Sequence, residues 1–255
     1  MRNHFFFSYP GNKRNEFNEI IKSINFDNIN NIIEPFCGSS SISFNIWLKY
    51  GNKYNYYLND NDKELISIYQ LFKHETIETI SNELLNIDNK ITNKDEWNNY
   101  FKSNNTNNIY KELYFRKYST FGRKGFYPLN RKIKKYIPSP IQQLFLNFIK
   151  SPNVYISNDD WFDIFDKYKD DEKSLLILDP PYINTNNDFY VNKTLNVYEY
   201  FYKNKIELFK SQILLILEDI WVIRLLFSNN NIVNSYGKTY ELSKKKTSHI
   251  VICNH

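Results

Sequence analysis

The stretch Leu175-Leu176-Ile177-Leu178-Asp179-Pro180-Pro181-Tyr182 decides how the rest of the chain reads. Its four apolar residues read as a strand. Two consecutive prolines cannot continue a central strand, because neither offers an N–H to the ladder. The chain therefore leaves the sheet in a stiff turn that aims the flanking side chains and the proline carbonyls. In open α/β sheets, ligands sit beyond the carboxyl ends of the strands. That position makes Asp179, Pro180, Pro181 and Tyr182 candidates for a functional site, although four such residues alone also suit an ordinary Asp-Pro turn.

Upstream and downstream of this point the chain alternates between strand and helix patterns. Phe17–Ile24 reads as a helix, Asn31–Ile33 as a strand ending at Glu34-Pro35, and Ser41–Tyr50 as a helix. Tyr54–Leu58 then reads as a strand and Lys63–Phe72 as a helix. After the middle of the chain, Val154–Ile156 and Ile213–Leu217 read as further strands and Tyr198–Lys210 as a helix. Thr239–Leu242 and His249–Cys253 suggest a hairpin joined through Lys244–Lys246. Such alternation is the signature of a parallel sheet with crossover helices. The intervening residues lack it and are polar and asparagine-rich. The expectation is one doubly wound α/β domain made of residues 1–73 and 153–255, with residues 74–152 inserted as a separate, mainly helical module.

The composition bounds the alternatives. The chain has 255 residues, 42% hydrophobic and 18% aromatic, enough for a large core. A net charge of +5 allows an anionic partner without requiring one. Alanine is absent while asparagine, isoleucine, lysine and tyrosine abound, a bias of AT-rich coding that removes meaning from the asparagine runs. Two cysteines, Cys37 and Cys253, exclude a disulfide framework and point to a reducing compartment. The N-terminal apolar run Phe5–Phe7 is too short for a signal peptide, and Ile213–Phe227 is broken by Glu218, Asp219 and Arg224. These features lead us to expect a soluble intracellular protein, not membrane-bound, monomeric or homodimeric. The four histidines show no metal-ligand spacing, so no metal site is expected.

Two further segments share the strand-end position. Glu34-Pro35-Phe36-Cys37-Gly38-Ser39-Ser40-Ser41 lies between a strand and a helix, where small residues let a ligand approach the backbone and the helix start offers free N–H donors. A serine N-cap is the plainer reading. Asn59-Asp60 closes the next strand, where a carboxylate suits ribose hydroxyls as in dinucleotide sites, or caps a helix.

Taken together, these segments resemble the Dam-type DNA adenine methyltransferases, in the same order along most of the chain. Ser8-Tyr9-Pro10-Gly11-Asn12-Lys13 resembles the family's aromatic-x-Gly-x-Lys segment, which places Tyr9, Gly11 and Lys13 at the methionine end of the cofactor. Glu34, Pro35, Phe36, Cys37 and Gly38 resemble its cofactor loop, and Leu58-Asn59-Asp60 the segment whose acidic residue holds the cofactor's ribose. Asp160-Trp161 resembles a motif beside the cofactor's adenine, and Asp179–Tyr182 the catalytic motif. The resemblance implies a Rossmann-like sheet, S-adenosylmethionine as cofactor, double-stranded DNA as partner and N6 of a flipped adenine as methyl acceptor. Cytosine-N4 relatives usually begin the catalytic motif with serine, so Asp179 favours adenine. An adenine amine is a poor nucleophile because its lone pair is delocalised into the ring. Asp179 and the Pro180 carbonyl are suited to accept its hydrogens, and Tyr182 to stack on the extruded base for about 1–3 kcal/mol. Two positions depart from the pattern: Ser40 stands where a second glycine is usual, and Asn12 replaces another.

The inserted module carries its own signal. Tyr110–Tyr136 holds nine basic residues interleaved with aromatics and one acid, Glu112. A solvated charged face is the usual meaning of such a run. With the resemblance, target recognition is preferred, and Arg116, Arg123, Lys124, Asn130 and Arg131 become the DNA-contact candidates. Besides a site-specific DNA adenine methyltransferase, two readings stay open. One is a methyltransferase of another planar amine, such as adenine in RNA or cytosine N4. The other is a catalytically inactive DNA-binding relative, kept alive by Ser40.

Overall fold

The computed structural model describes residues 5–7, 9, 11–103, 108–118, 137–182, 195–227, 231–239 and 246–254. By internal packing the chain divides into two units, Met1–Asn12 with Lys63–Pro152, and Lys13–Asp62 with Asn153–His255.

The second of these is an α/β unit built on a seven-stranded sheet. Its strands are β1 (Asn31–Glu34), β2 (Asn55–Asn59), β3 (Val154–Ser157), β4 (Ser174–Leu178), β5 (Gln212–Glu218), β6 (Asn231–Thr239) and β7 (Lys246–Cys253). Their order is β3-β2-β1-β4-β5-β7-β6. The first five run parallel, and β7 enters antiparallel between β5 and β6. All five residues of β4 and the five central residues of β5 are buried, as expected where helices cover both faces of a parallel sheet. Four helices belong here: α1 (Phe17–Ile20), α2 (Ser41–Tyr50), α8 (Trp161–Tyr168) and α9 (Leu195–Lys203), with the short α10 (Trp221–Leu226) after β5. One core joins Leu176, Leu178, Leu215 and Leu217 of the sheet to Phe165 of α8, Phe201 of α9 and Ile223 of α10. The chain turns from β1 to β2 on one side and places β4 on the other, so the switch point lies between β1 and β4. Ligands of such sheets bind in the crevice at that point.

The other unit is helical in its described residues: α3 (Lys63–His74), α4 (Ile77–Asp88), α5 (Lys94–Lys102), α6 (Ile109–Tyr118) and α7 (Pro140–Lys150). Thr76 caps α4 by accepting from the Thr79 amide, and Asn93 caps α5 by accepting from the Glu96 amide. Aromatics fill its interior, with Trp97 4.7 Å from Phe115 and Phe5 5.6 Å from Phe145, ring centre to ring centre. The sequence expectation ended the first segment at residue 73. Packing instead assigns α3 to the helical unit, because its apolar face meets α6 and α7.

Several element bounds differ from the sequence expectation. The helix expected over Phe17–Ile24 closes at Ile20 and tightens into a 3-10 turn over Ile21–Ser23. Ile24 is already extended, and Asn25 exchanges two hydrogen bonds with the amide of Gln212, which draws the chain to the sheet. The helix expected over Tyr198–Lys210 begins at Leu195 and stops at Lys203, followed by a 3-10 turn that buries Ile206. The terminal hairpin pairs Asn231–Thr239 with Lys246–Cys253; of the expected strand Thr239–Leu242 only Thr239 is among the described residues, closing the first strand, and Lys246 belongs to the second. Among the described residues no helix is long and apolar enough to cross a membrane.

Candidate active site

The turn after β4 is held from three directions. Lys13 Nζ lies 2.5 Å from Asp179 Oδ2, and the Tyr182 hydroxyl donates to Asp179 Oδ1 at 3.0 Å. Tyr198, on α9, donates its hydroxyl to the Pro181 carbonyl at 3.2 Å. Lys13 is in turn anchored by its backbone, whose N–H donates to Ser41 Oγ at the start of α2. Its ammonium also sits 5.2 Å from the centre of the Tyr182 ring. Lys13 is 3% exposed and Asp179 20%, so the pair is largely screened from water. The Tyr182 ring packs edge-on against His249 of β7, which itself lies against Tyr236 of β6.

Beside this turn, β1 ends in Glu34, which is 4% exposed and accepts from the Ser43 amide at 2.6 Å. Burial pushes its carboxyl up to about 7. The hydrogen bonds from Ser43 oppose that rise, the charge of Asp179 adds to it, and Lys13 lowers it. Pro35 and Cys37 are buried, Phe36 and Gly38 half-buried. Burial, reinforced by the charges of Asp60 and Glu34, pushes the Cys37 thiol well up, which makes it an inert packing group.

The loop after β1 is tied to the end of β2. The Gly38 amide donates to Asp60 Oδ2 at 2.9 Å, and the Cys37 amide to the Asn59 carbonyl at 2.8 Å. Gly38 and Ser40 both have positive φ, 47° and 48°. Ser40 thus adopts the left-handed conformation that a glycine there would take without strain. Asn59, 1% exposed, donates to the carbonyls of Pro35 and Asp159 and accepts from Ser157 and the Asp159 amide. It binds the ends of β1, β2 and β3 together, a role the sequence reading did not assign to it.

Asp160 caps α8 by accepting from the Phe162 amide, and Trp161 stacks on Phe36 with ring centres 5.6 Å apart. The structure therefore gathers Lys13, Glu34, Asp179 and Tyr182 at one end of the switch point, and Phe36 with Trp161 beside them, in the loop after β1 and on α8. Tyr9 and Gly11 belong to the helical unit. The Tyr9 ring lies 6.1 Å from that of Phe5, and Gly11 has φ of 80°, which explains the glycine. Arg116, on α6, is also in the helical unit. Its Nε meets Glu112 at 2.5 Å and its NH2 group meets Glu64 at 3.3 Å, over the ring of Phe7. Arg123, Lys124, Asn130 and Arg131 lie outside the described residues. The sequence reading missed Tyr198 and His249. Neither stands in a motif, and a tyrosine in an aromatic helix signals only packing.

A family model described as D12 class N6 adenine-specific DNA methyltransferase matches residues 9–249. The chain belongs to this family. The match spans every strand of the sheet except the last residues of β7, and with it the turn that carries Asp179. The D12-class assignment accords with the Dam-type resemblance of the motifs and gives the chain its activity, N6 methylation of adenine in DNA. No curated protein matches the chain.

Proposed function

We propose that this D12-class protein transfers the methyl group of S-adenosylmethionine to N6 of an adenine extruded from double-stranded DNA, at a specific sequence. The observation that carries this reading is Asp179, at the end of β4, with one oxygen engaged by Lys13 and the other by Tyr182. A carboxylate accepts about four hydrogen bonds, so capacity remains on each oxygen for an incoming amine.

The residues at the switch point fit the cofactor's chemistry. Glu34 offers a buried carboxyl group to an ammonium, and the half-buried Gly38, without a side chain, lets a ligand approach the loop backbone. Asp60 retains acceptor capacity for ribose hydroxyls, and the Phe36–Trp161 pair offers apolar faces to a purine. The cofactor supplies an electrophilic methyl group. The protein then has to position the acceptor and stabilise the charge that develops on it. Asp179 and the Pro180 carbonyl accept the hydrogens of the amine, which turns its lone pair out of conjugation. Lys13 holds the Asp179 carboxylate in orientation, and Tyr198 braces the turn through Pro181. Tyr182 stacks on the extruded base.

Recognition is assigned to residues 74–152, with Arg123, Lys124, Asn130 and Arg131 contacting DNA. For Arg116, already paired with Glu112 and Glu64, contact with a phosphate requires an exchange of partners. The left-handed conformation of Ser40 supports an active enzyme over a silent relative, because the loop forms without its usual glycine.

Nucleoside mass spectrometry of unmethylated plasmid DNA, incubated with the protein and S-adenosylmethionine, tests this reading. N6-methyladenine is expected, and its loss with Asp179→Ala. Methylation of RNA alone, or none of DNA across varied sequences, would overturn it.

A further inference from the structure

Trp221 is 77% exposed and Leu225, one helical turn further on, is 64% exposed. Residues four apart on a helix are neighbours, so the two form one apolar face on α10. The opposite side of the same segment is sunk in the core, with Ile223 and Phe227 each 1% exposed. A tryptophan is highly buried on average, so an indole this open to water is an informative exception.

Its location narrows what it is for. β5 lies parallel to β4 with Leu215 opposite Leu178, so Asp179 leaves the sheet from the strand beside the one that leads to Trp221. β5 continues to Glu218, about 10 Å beyond that level at the usual rise per residue. Trp221 thus stands at the same end of the sheet as Asp179, on the rim. Its support is braced. Arg224 grips both oxygens of Asp219, at 2.5 and 2.7 Å, and Ser235 of β6 donates to Asp219 Oδ2 at 2.8 Å. The Asp219 amide donates to the Ser248 carbonyl of β7 at 2.7 Å. Tyr182, by contrast, is 6% exposed and turned toward Asp179. Among the described residues Trp221 is the most exposed aromatic, well above Phe162 at 39% on α8.

We propose that Trp221, with Leu225 beside it, is a stacking platform for a nucleobase of the DNA that flanks the extruded adenine. Extrusion opens the stack and exposes the faces of neighbouring bases, and an indole on a rigid turn covers such a face without base-edge contacts. This rests on the reading that adenine is brought to Asp179.

The test compares wild type, Trp221→Phe and Trp221→Ala by steady-state methyl transfer to unmethylated plasmid DNA, and by tryptophan fluorescence as the same DNA is added. Trp221→Ala is expected to raise the KM for DNA about fivefold to a hundredfold, the range spanned by one stacked base. The KM for S-adenosylmethionine stays unchanged, and Trp221→Phe retains most of the DNA affinity. DNA quenches the wild-type fluorescence, and that quench is lost in both variants. An unchanged KM for DNA in Trp221→Ala overturns the platform while leaving the methyltransferase reading intact. Absence of transfer by wild type overturns that reading, and the platform is then decided by DNA affinity alone: equal affinities for wild type and Trp221→Ala refute it. A wild-type dimer in light scattering that Trp221→Ala dissociates, with DNA affinity unchanged, refutes it in favour of contact between copies of the chain.

Discussion

The ammonium of Lys13 lies 2.5 Å from Asp179 Oδ2, joining residues 166 positions apart in the chain. Each end of the pair is fixed separately, Lys13 through its backbone to Ser41 and Asp179 through Tyr182. The pair sets the direction in which Asp179 presents its remaining acceptor sites. Removing one partner of a buried pair leaves the other uncompensated. Lys13→Gln is expected to cost about 2 kcal/mol in urea unfolding and more than tenfold in single-turnover methyl transfer. Asp179→Asn leaves the more deeply buried Lys13 ammonium without its counter-charge, so it should cost at least about 2 kcal/mol, and it loses transfer by a hundredfold or more. Wild-type transfer rates in Lys13→Gln would show that the pair orients nothing.

Glu34 makes the site sensitive to pH. Its folded value, about 7, lies above that of an unfolded glutamate, so the folded state binds the extra proton. Its contribution to stability is therefore fully present below the unfolded value and is lost as pH rises through about 7. Denaturant titrations should show wild type weakening from pH 5 to 7 relative to Glu34→Gln, and Glu34→Gln the more stable at pH 8. A cationic ligand requires the ionised form. Calorimetric affinity for S-adenosylmethionine is expected to rise about tenfold per pH unit up to 7 and then level off, with proton release on binding below pH 7. Glu34→Gln should bind weakly and without that dependence.

Among the described residues, Ser40 is the one non-glycine in left-handed backbone, and it is fully buried. Ser40→Gly relieves the conformation and gives up the hydrogen bond between Ser40 and Cys37, so stability should stay within about 1 kcal/mol of wild type. Ser40→Val places a β-branched residue there and should cost about 2–3 kcal/mol, read as a fall in Tm. Equal stabilities of the glycine and valine variants would contradict the φ assigned to this loop.

Tyr198 supports the Pro-Pro turn through a hydrogen bond of 3.2 Å to the Pro181 carbonyl. Tyr198→Phe should cost about 1 kcal/mol of stability and lower kcat several-fold, with the KM for S-adenosylmethionine unchanged. A shift in that KM would move Tyr198 to the cofactor side of the site.

Much of this architecture was legible before any coordinates. The run Leu175–Leu178 and the paired prolines placed a site at a strand end, because buried strands and missing N–H donors leave strong local marks. The short helices α8 and α10 left none, since six or eight residues do not show a helical period. Asn59 was read past because its worth lies in four hydrogen bonds to β1 and β3, segments remote in sequence.

The sequence by itself determined the class of fold, the order of the motifs and the chemistry of the side chains at each strand end. These follow from local propensities and from which residues avoid water. Only the tertiary structure decided that β7 inserts between β5 and β6, that Lys13 reaches Asp179, that Phe36 meets Trp161, and that Trp221 is left facing water. Periodicity states that a residue is buried but not against what, and partners distant in the chain are selected by the packing of the whole sheet.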